Sequence, residues 1–217
     1  MILTFELPNK DVVYYQEEKH RYYVNGIMVP SITQLVEAYF GNIYGDIPED
    51  VLQRAAEYGT AVHQEIQDNL EGNTIEVNYV ETDNFLNVIA PRLYLEPIQC
   101  EQIVVIYDKR GAPIAAGRYD LLAYTTEQKI KTLIDFKTTS TLHRQQVIFQ
   151  LNLYKRGAYQ SQYLTKEEYE KILLNVVQLK HEIKKSEYLP NLPDSTLDKM
   201  IDKALENYYI DKEMEGL

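Results

Sequence analysis

The chain has 217 residues, 45% hydrophobic and 25% charged, and its 22 Lys and Arg against 33 Asp and Glu give a net charge of -11. With 9 Gly, 8 Pro and a single Cys, this composition excludes a collagenous, a disordered and a disulfide-stapled chain. Cys100 alone can neither close an intramolecular disulfide nor supply an iron–sulfur cluster or a cysteine zinc site. No run approaches the roughly 18 apolar residues of a membrane span. The opening MILTFELPNKD lacks the basic-then-apolar plan of a signal peptide. The expectation is a soluble cytoplasmic protein with no membrane partner, built as a single domain over residues 1–217.

In chain order, Val12 to Tyr15 and Arg21 to Val24 are β-rich runs that predict a small hairpin, closed by Asn25-Gly26 and stopped at Pro30-Ser31. Ser31-Ile32-Thr33-Gln34 matches a capping box and opens a short helix that Gly41 ends. These elements form an N-terminal extension, residues 1–47. From Pro48 to Leu70 the residues Val51, Ala55, Gly59, Val62, Ile66 and Leu70 recur at helical spacing and predict a buried stripe. Gly59 inside a helix costs about 1 kcal/mol relative to alanine, which signals a close approach or a site that needs room. A helix follows around Thr82 to Leu93. Strands are then expected at 102–107, 114–124 and 132–137 as an antiparallel meander, with a helix at His143 to Tyr159 and a strand at 172–179. The fold class is α/β with a mixed sheet: residues 48–180 form a helix, three-strand meander, helix, strand core. Residues 181–217 are a helical C-terminal segment with a helix from Ser195 to Tyr209, capped by Ser195.

Asp135-Phe136-Lys137 carries the chemistry. Side chains alternate along a strand, so Asp135 and Lys137 share one face about 7 Å apart. A hairpin in which paired residue numbers sum to about 255 or 256 sets Asp120 opposite Asp135. Like charges facing across a sheet are destabilising unless a cation lies between them, and a divalent ion is the economical answer. Oxygen ligands suit Mg²⁺ or Mn²⁺, which can orient water and polarise a phosphoryl oxygen. On spacing alone, a cross-strand Asp–Lys pair on an exposed sheet explains the pattern equally well.

Further motifs favour the metal. Asp120, then Asp135-Phe136-Lys137, then Gln150-Leu151-Asn152-Leu153-Tyr154 on a helix, preceded by Gly59-Thr60-Ala61-Val62-His63, resemble the PD-(D/E)xK nuclease superfamily in its RecB-like, phage-type exonuclease branch. The opening Glu18-Lys19-His20-Arg21-Tyr22-Tyr23 and Val29-Pro30-Ser31-Ile32-Thr33 is similar to the N-terminal extension of phage members. The resemblance spans residues 14 to 180. It departs from the signature where Tyr119-Asp120 stands for the Pro-Asp pair.

The resemblance implies a restriction-endonuclease-like core and a metal-dependent exonuclease acting on DNA ends in recombination or repair, in the host cytosol if phage-encoded. It implies metal ligation by His63, Asp120, Asp135 and the Phe136 carbonyl, assistance to the attacking water by Lys137, and positioning of the strand by Gln150 and Tyr154. Glu101 resembles the acidic residue that precedes such meanders and is a candidate for a second metal or a water. It also implies a homo-oligomer or a single-strand annealing protein as partner. Arg144, Lys155 and Arg156, with Ser31 and Arg54, are phosphate-contact candidates, although a solvated face explains them too. Arg118, placed on the strand face opposite Asp120, is given a structural role, as are His20, His143 and His181. The rivals are a structure-selective endonuclease and a silent acidic module that imitates DNA.

The acidity is uneven: residues 1–70 carry 4 basic and 11 acidic side chains, 71–137 carry 7 and 10, and 138–217 carry 11 and 12, so any basic surface is local.

Overall fold

The computed structural model describes residues 1–42, 45, 47–214 and 216. Residues 43, 44 and 46 of the expected extension, and 215 and 217 of the C-terminal segment, lie outside the described residues.

Four strands open the chain: β1 (Ile2–Glu6), β2 (Val12–Gln16), β3 (Arg21–Val24) and β4 (Ile27–Val29), paired antiparallel in that order. The expected hairpin is the middle of this sheet. Asn25-Gly26, at φ 47° and 85°, turns β3 into β4, a strand too short to stand out in the sequence. Alternation sends Val13, Tyr15, Tyr22 and Val24 inward against Ile103, Val105 and Ala116.

Helix α1 (Ile32–Phe40) starts at the anticipated capping box, in which Ser31 Oγ accepts the Gln34 N–H at 3.0 Å and Gln34 Oε1 accepts the Ser31 N–H at 2.9 Å. Helix α2 runs Glu49–Leu70, but the expected stripe is buried only in its second half, at Val62 and Ile66. Val51 is 42% exposed and Ala55 is exposed, because no described element packs over the first turns. A Cβ at Gly59 would lie 2.9 Å from Thr138 Oγ1, the close approach its position signalled. A helical run follows as α3 (Val80–Asn84), one π-helical stretch (Phe85–Ile89) and α4 (Ala90–Arg92).

The central sheet has the order β5 (Glu96–Tyr107), β6 (Pro113–Thr125), β7 (Ile130–Lys137), β8 (Leu173–Lys180), β9 (Ile183–Leu189). All its pairs are antiparallel except β7–β8, which is parallel and joined through helices α5 (Arg144–Gln160) and α6 (Lys166–Lys171). β9 occupies part of the segment expected to be helical. Its IKKSEYL alternates weakly because it is an edge strand. Helix α7 (Asp194–Met214) begins before Ser195, which therefore lies inside the helix and is not its cap.

Helices α1, α5 and α7 cover one face of the sheet over Val104, Leu122, Leu133 and Val176. Helices α2 and α3 with the π-helical stretch cover the other over Leu121, Ile134, Phe136 and Val177. Full burial of each such side chain contributes roughly 1.5–3 kcal/mol. The architecture is mixed α/β with two sheets. Among the described residues no helix is long and apolar enough to cross a membrane.

Candidate metal centre

The β6–β7 ladder runs from Thr125↔Ile130 to Leu121↔Ile134, so paired numbers sum to 255 as the sequence suggests. Pairing ends one step before Asp120 and Asp135. Instead of facing Asp135 in the ladder, Asp120 accepts the Phe136 N–H on Oδ2 at 2.7 Å. Its Oδ1 lies 3.6 Å from His63 Nδ1 on α2, and the His63 ring meets the Phe136 ring edge-on.

Glu101 completes the group. It lies within β5, not at its start, with φ 53°, a left-handed conformation uncommon for glutamate. Ladder pairs flank it at Cys100↔Leu121 and Gln102↔Tyr119 in one unshifted register, which sets Glu101 opposite Asp120. His63, Glu101 and Asp120 each offer a ligand atom, and these atoms all lie within 4.8 Å of one another. One imidazole and two carboxylates form a donor set that suits a small divalent cation.

Asp135 stands outside this group. Lys137 Nζ donates to its Oδ1 at 2.9 Å and sits 2.7 Å from Oδ2 as an ion pair. Both oxygens of this buried carboxylate therefore face the Lys137 ammonium. Phe136, whose carbonyl the family resemblance offers as a ligand, is held next to the group by the N–H it gives Asp120.

The electrostatics agree. Burial raises the Glu101 carboxyl to about 7, the Asp120 charge adds to this, and Arg118 opposes it. Burial also raises Asp135, to about 6, against the pull of Lys137. Burial works to raise Asp120 too, but His63, Lys137 and the Phe136 N–H hold it below the usual range. For His63 burial acts downward, and Asp120 overcomes it so that the imidazole lies above its ordinary value. Carboxyls raised by burial beside one held ionised are the pattern of a site that lacks positive charge.

Tyr154 lines the cavity over His63, Glu101 and Asp120, and Gln150 lines the one that opens at Lys137. Both are buried on α5, where Gln150 Oε1 accepts from Lys137 Nζ at 3.0 Å and its Nε2 donates to Tyr154 Oη at 3.2 Å. They fix Lys137 between Asp135 and the helix. A Cβ at Gly117 would lie 3.1 Å from the Tyr154 ring, so β6 needs glycine there to admit the tyrosine.

Arg118 shares the face of Asp120, as two-residue spacing requires, and its Nε pairs with Glu101 at 2.6 Å. A cavity of about 340 Å³ over the group is walled by Arg118, Thr60 and Gln64 and by Tyr15, His20 and Tyr22 of the N-terminal segment. His20, expected to be structural, thus borders the site, with its Nδ1 2.9 Å from Tyr15 Oη.

The phosphate candidates are mostly engaged elsewhere. Ser31 is the helix cap. Arg54 pairs with Asp50 one turn away at 2.9 Å. Lys155 is buried, bonded to Asn191 at 2.8 Å and lying over the Tyr169 ring. Arg156 bridges Asp194 and Asp198 of α7 at 3.0 Å each. Lys155 and Arg156 tie α5 to the C-terminal region, a role that their position after the Gln-x-x-x-Tyr motif conceals. Arg144 is half exposed and pairs with Glu187 at 2.8 Å.

A scan against protein families finds no match for this chain, and a search of curated proteins finds none. Among solved structures, the crystal structure of SSO0001 is similar with a TM-score of 0.44 and 14% identity over 82% of this chain and 75% of that one. A phage-related exonuclease from Haemophilus somnus 129PT is similar with a TM-score of 0.29 and 10% identity over 86% of this chain and 96% of that one.

Proposed function

We propose that this chain is a PD-(D/E)xK-type, Mg²⁺- or Mn²⁺-dependent deoxyribonuclease that hydrolyses phosphodiester bonds from DNA ends. The observation that carries this reading is the convergence of His63, Glu101 and Asp120 ligand atoms within 4.8 Å, beside a lysine held by Asp135 and Gln150. The order of motifs along the chain supports it independently. His63, Glu101 and Asp120 would hold the ion, with Asp135 paired to Lys137 beside them. A bound divalent ion supplies Lewis-acid polarisation of a phosphoryl oxygen and lowers the pKa of a water.

The chain's own groups do the rest. Lys137 stands where its ammonium can steady the attacking oxygen or the charge that grows on phosphorus. Asp135 fixes the direction of that ammonium and can accept a proton from water once ionised. Gln150 and Tyr154 keep the lysine from swinging away. The cavity walls of Tyr15, His20 and Tyr22 limit the approach of solvent.

The test is cleavage of linear single-stranded, linear duplex, nicked and covalently closed DNA with Mg²⁺ or Mn²⁺. Linear DNA is shortened and closed circles survive. Lys137→Ala or Asp120→Ala lowers the rate by about 10²–10³. Full cutting by either variant defeats the assignment, and cutting of closed circles replaces exonuclease by endonuclease.

A further inference from the structure

Building on the nuclease reading, we infer that Lys185, on the edge strand β9, binds a backbone phosphate of the substrate strand beyond the scissile position. The sheet register carries the argument. Lys137 pairs with Gln178 across β7–β8, and Gln178 pairs with Lys185 across β8–β9. Partners in a ladder project to the same face, so the three side chains form one row, and Lys185 stands two strand spacings, about 10 Å, from Lys137.

The ground between them is polar. Gln178 Nε2 donates to the carbonyls of Thr139 at 2.8 Å and Ser140 at 3.0 Å, which clamps the loop leading from β7 to α5. Ser140 and Thr141 on that loop are exposed. At the Lys137 end a cavity of about 330 Å³ opens between α1 and this loop, lined by Thr33, Lys137, Thr139, Thr141 and Gln146. A sugar–phosphate chain leaving the site therefore passes amides and hydroxyls before it meets a cation.

Charge balance marks out Lys185. On this face Lys131 has Glu168 at 2.7 Å, Lys137 has Asp135, Arg144 has Glu187 and Arg156 has Asp194 and Asp198. Lys185 is exposed, and among the described residues no carboxylate stands within ion-pair distance of it. An unmatched cation in a chain of net charge -11 is suited to an anion from outside. Lys184 is the internal control. It projects to the opposite face, where its Nζ bonds Asn84 Oδ1 at 3.0 Å. Lysines on an edge strand also discourage pairing with other chains, and that benefit belongs to both residues alike.

The experiment is steady-state cleavage of a single-stranded oligodeoxynucleotide with Mg²⁺ or Mn²⁺ across a NaCl series. Lys185→Ala raises KM about three- to tenfold with kcat unchanged and lowers the log–log salt slope by about 0.7, the loss of one phosphate contact. Lys184→Ala leaves KM, kcat and slope where they were, and Lys185→Arg restores the slope. Equal effects of the two alanines, or an unchanged slope in Lys185→Ala, overturn the role of Lys185 while the nuclease reading stands. A wild-type protein that cuts no substrate removes the nuclease reading itself.

Discussion

Two regions of the molecule bury glutamates and aspartates, and they treat them in opposite ways. Where α2 meets α3, Glu65 accepts the Asn78 and Tyr79 N–H groups at 2.7 and 3.1 Å, and Glu81 accepts the Tyr58 hydroxyl at 2.7 Å and the His181 N–H at 3.0 Å. Burial presses both carboxyls upward, yet these donors hold both below the ordinary value. Across the sheet, Glu101 and Asp135 are raised although each faces a cation, Arg118 at 2.6 Å and Lys137 at 2.7 Å. Burial is common to both regions. Several hydrogen-bond donors hold the first two carboxylates ionised, whereas crowding of like charge adds to burial in raising the second two.

Substitution by the neutral amide sharpens this contrast most. Asp135→Asn abolishes cutting while raising the melting temperature of the metal-free protein at pH 7. Glu81→Gln leaves kcat unchanged and costs about 1–3 kcal/mol in urea unfolding, since it upsets a satisfied buried acceptor. Crossed results, with Glu81→Gln inactive and stable or Asp135→Asn active and unstable, would dissolve the distinction between the regions.

The pH dependence follows with opposite signs. The folded pKa of Glu81 lies below its unfolded value near 4.5, so its stabilisation is present above pH 4.5 and lost as pH falls through the folded pKa. The folded pKa of Asp135 is about 6 against 3.8 unfolded, so its ionised form is penalised by the fold, fully so above pH 6 and not at all below pH 3.8. Melting curves should therefore show the deficit of Glu81→Gln and the surplus of Asp135→Asn both shrinking towards acid pH. A surplus that grows on acidification contradicts the burial argument.

The smallest effect is in proton release. Glu101, Asp135 and His63 carry protons near pH 6 that a bound divalent ion expels, and near pH 8 the two carboxyls have already lost theirs. Calorimetry of Mn²⁺ binding in buffers of differing ionisation enthalpy should find more protons released at pH 6 than at pH 8. Equal release at the two values would place the ion elsewhere.

Much of this was readable in the sequence, for stated reasons. The β6–β7 register followed from hairpin arithmetic, the Ser31 cap from its side-chain chemistry, and the His63, Asp120 and Lys137 placements from period and motif. Glu101 was nominated by resemblance, but its route into the site was hidden, because no residue type announces a left-handed glutamate inside a strand. Glu65 and Glu81 were missed because charged residues on helices ordinarily face water, and their donors come from separate places: Asn78 and Tyr79 before α3, Tyr58 on α2 and His181 in the β8–β9 turn. The first half of α2 misled in the opposite sense: apolar spacing says which residues share a face, and another element must still arrive to cover it. Gln150 and Tyr154 lie on the expected helix at the edge of the site, and the sequence does not say that Lys137 would claim the amide.

The short bridge between the two sheets has a consequence for how the gene could be divided. Ser31 pairs with Ala116, and the Ala116 N–H donates to the Pro30 carbonyl at 3.0 Å, four residues before Asp120. The opening segment is thus spliced into the strand that carries a proposed ligand, and its inner face covers Ile103, Val105 and Ala116. A chain cut back to residues 48–180 would lose that cover, the α1 wall and the aromatic side of the cavity in one step. The N-terminal residues behave less as an attachment than as the missing side of the container, and exchange of this segment between related chains would transplant the shape of the entrance along with it.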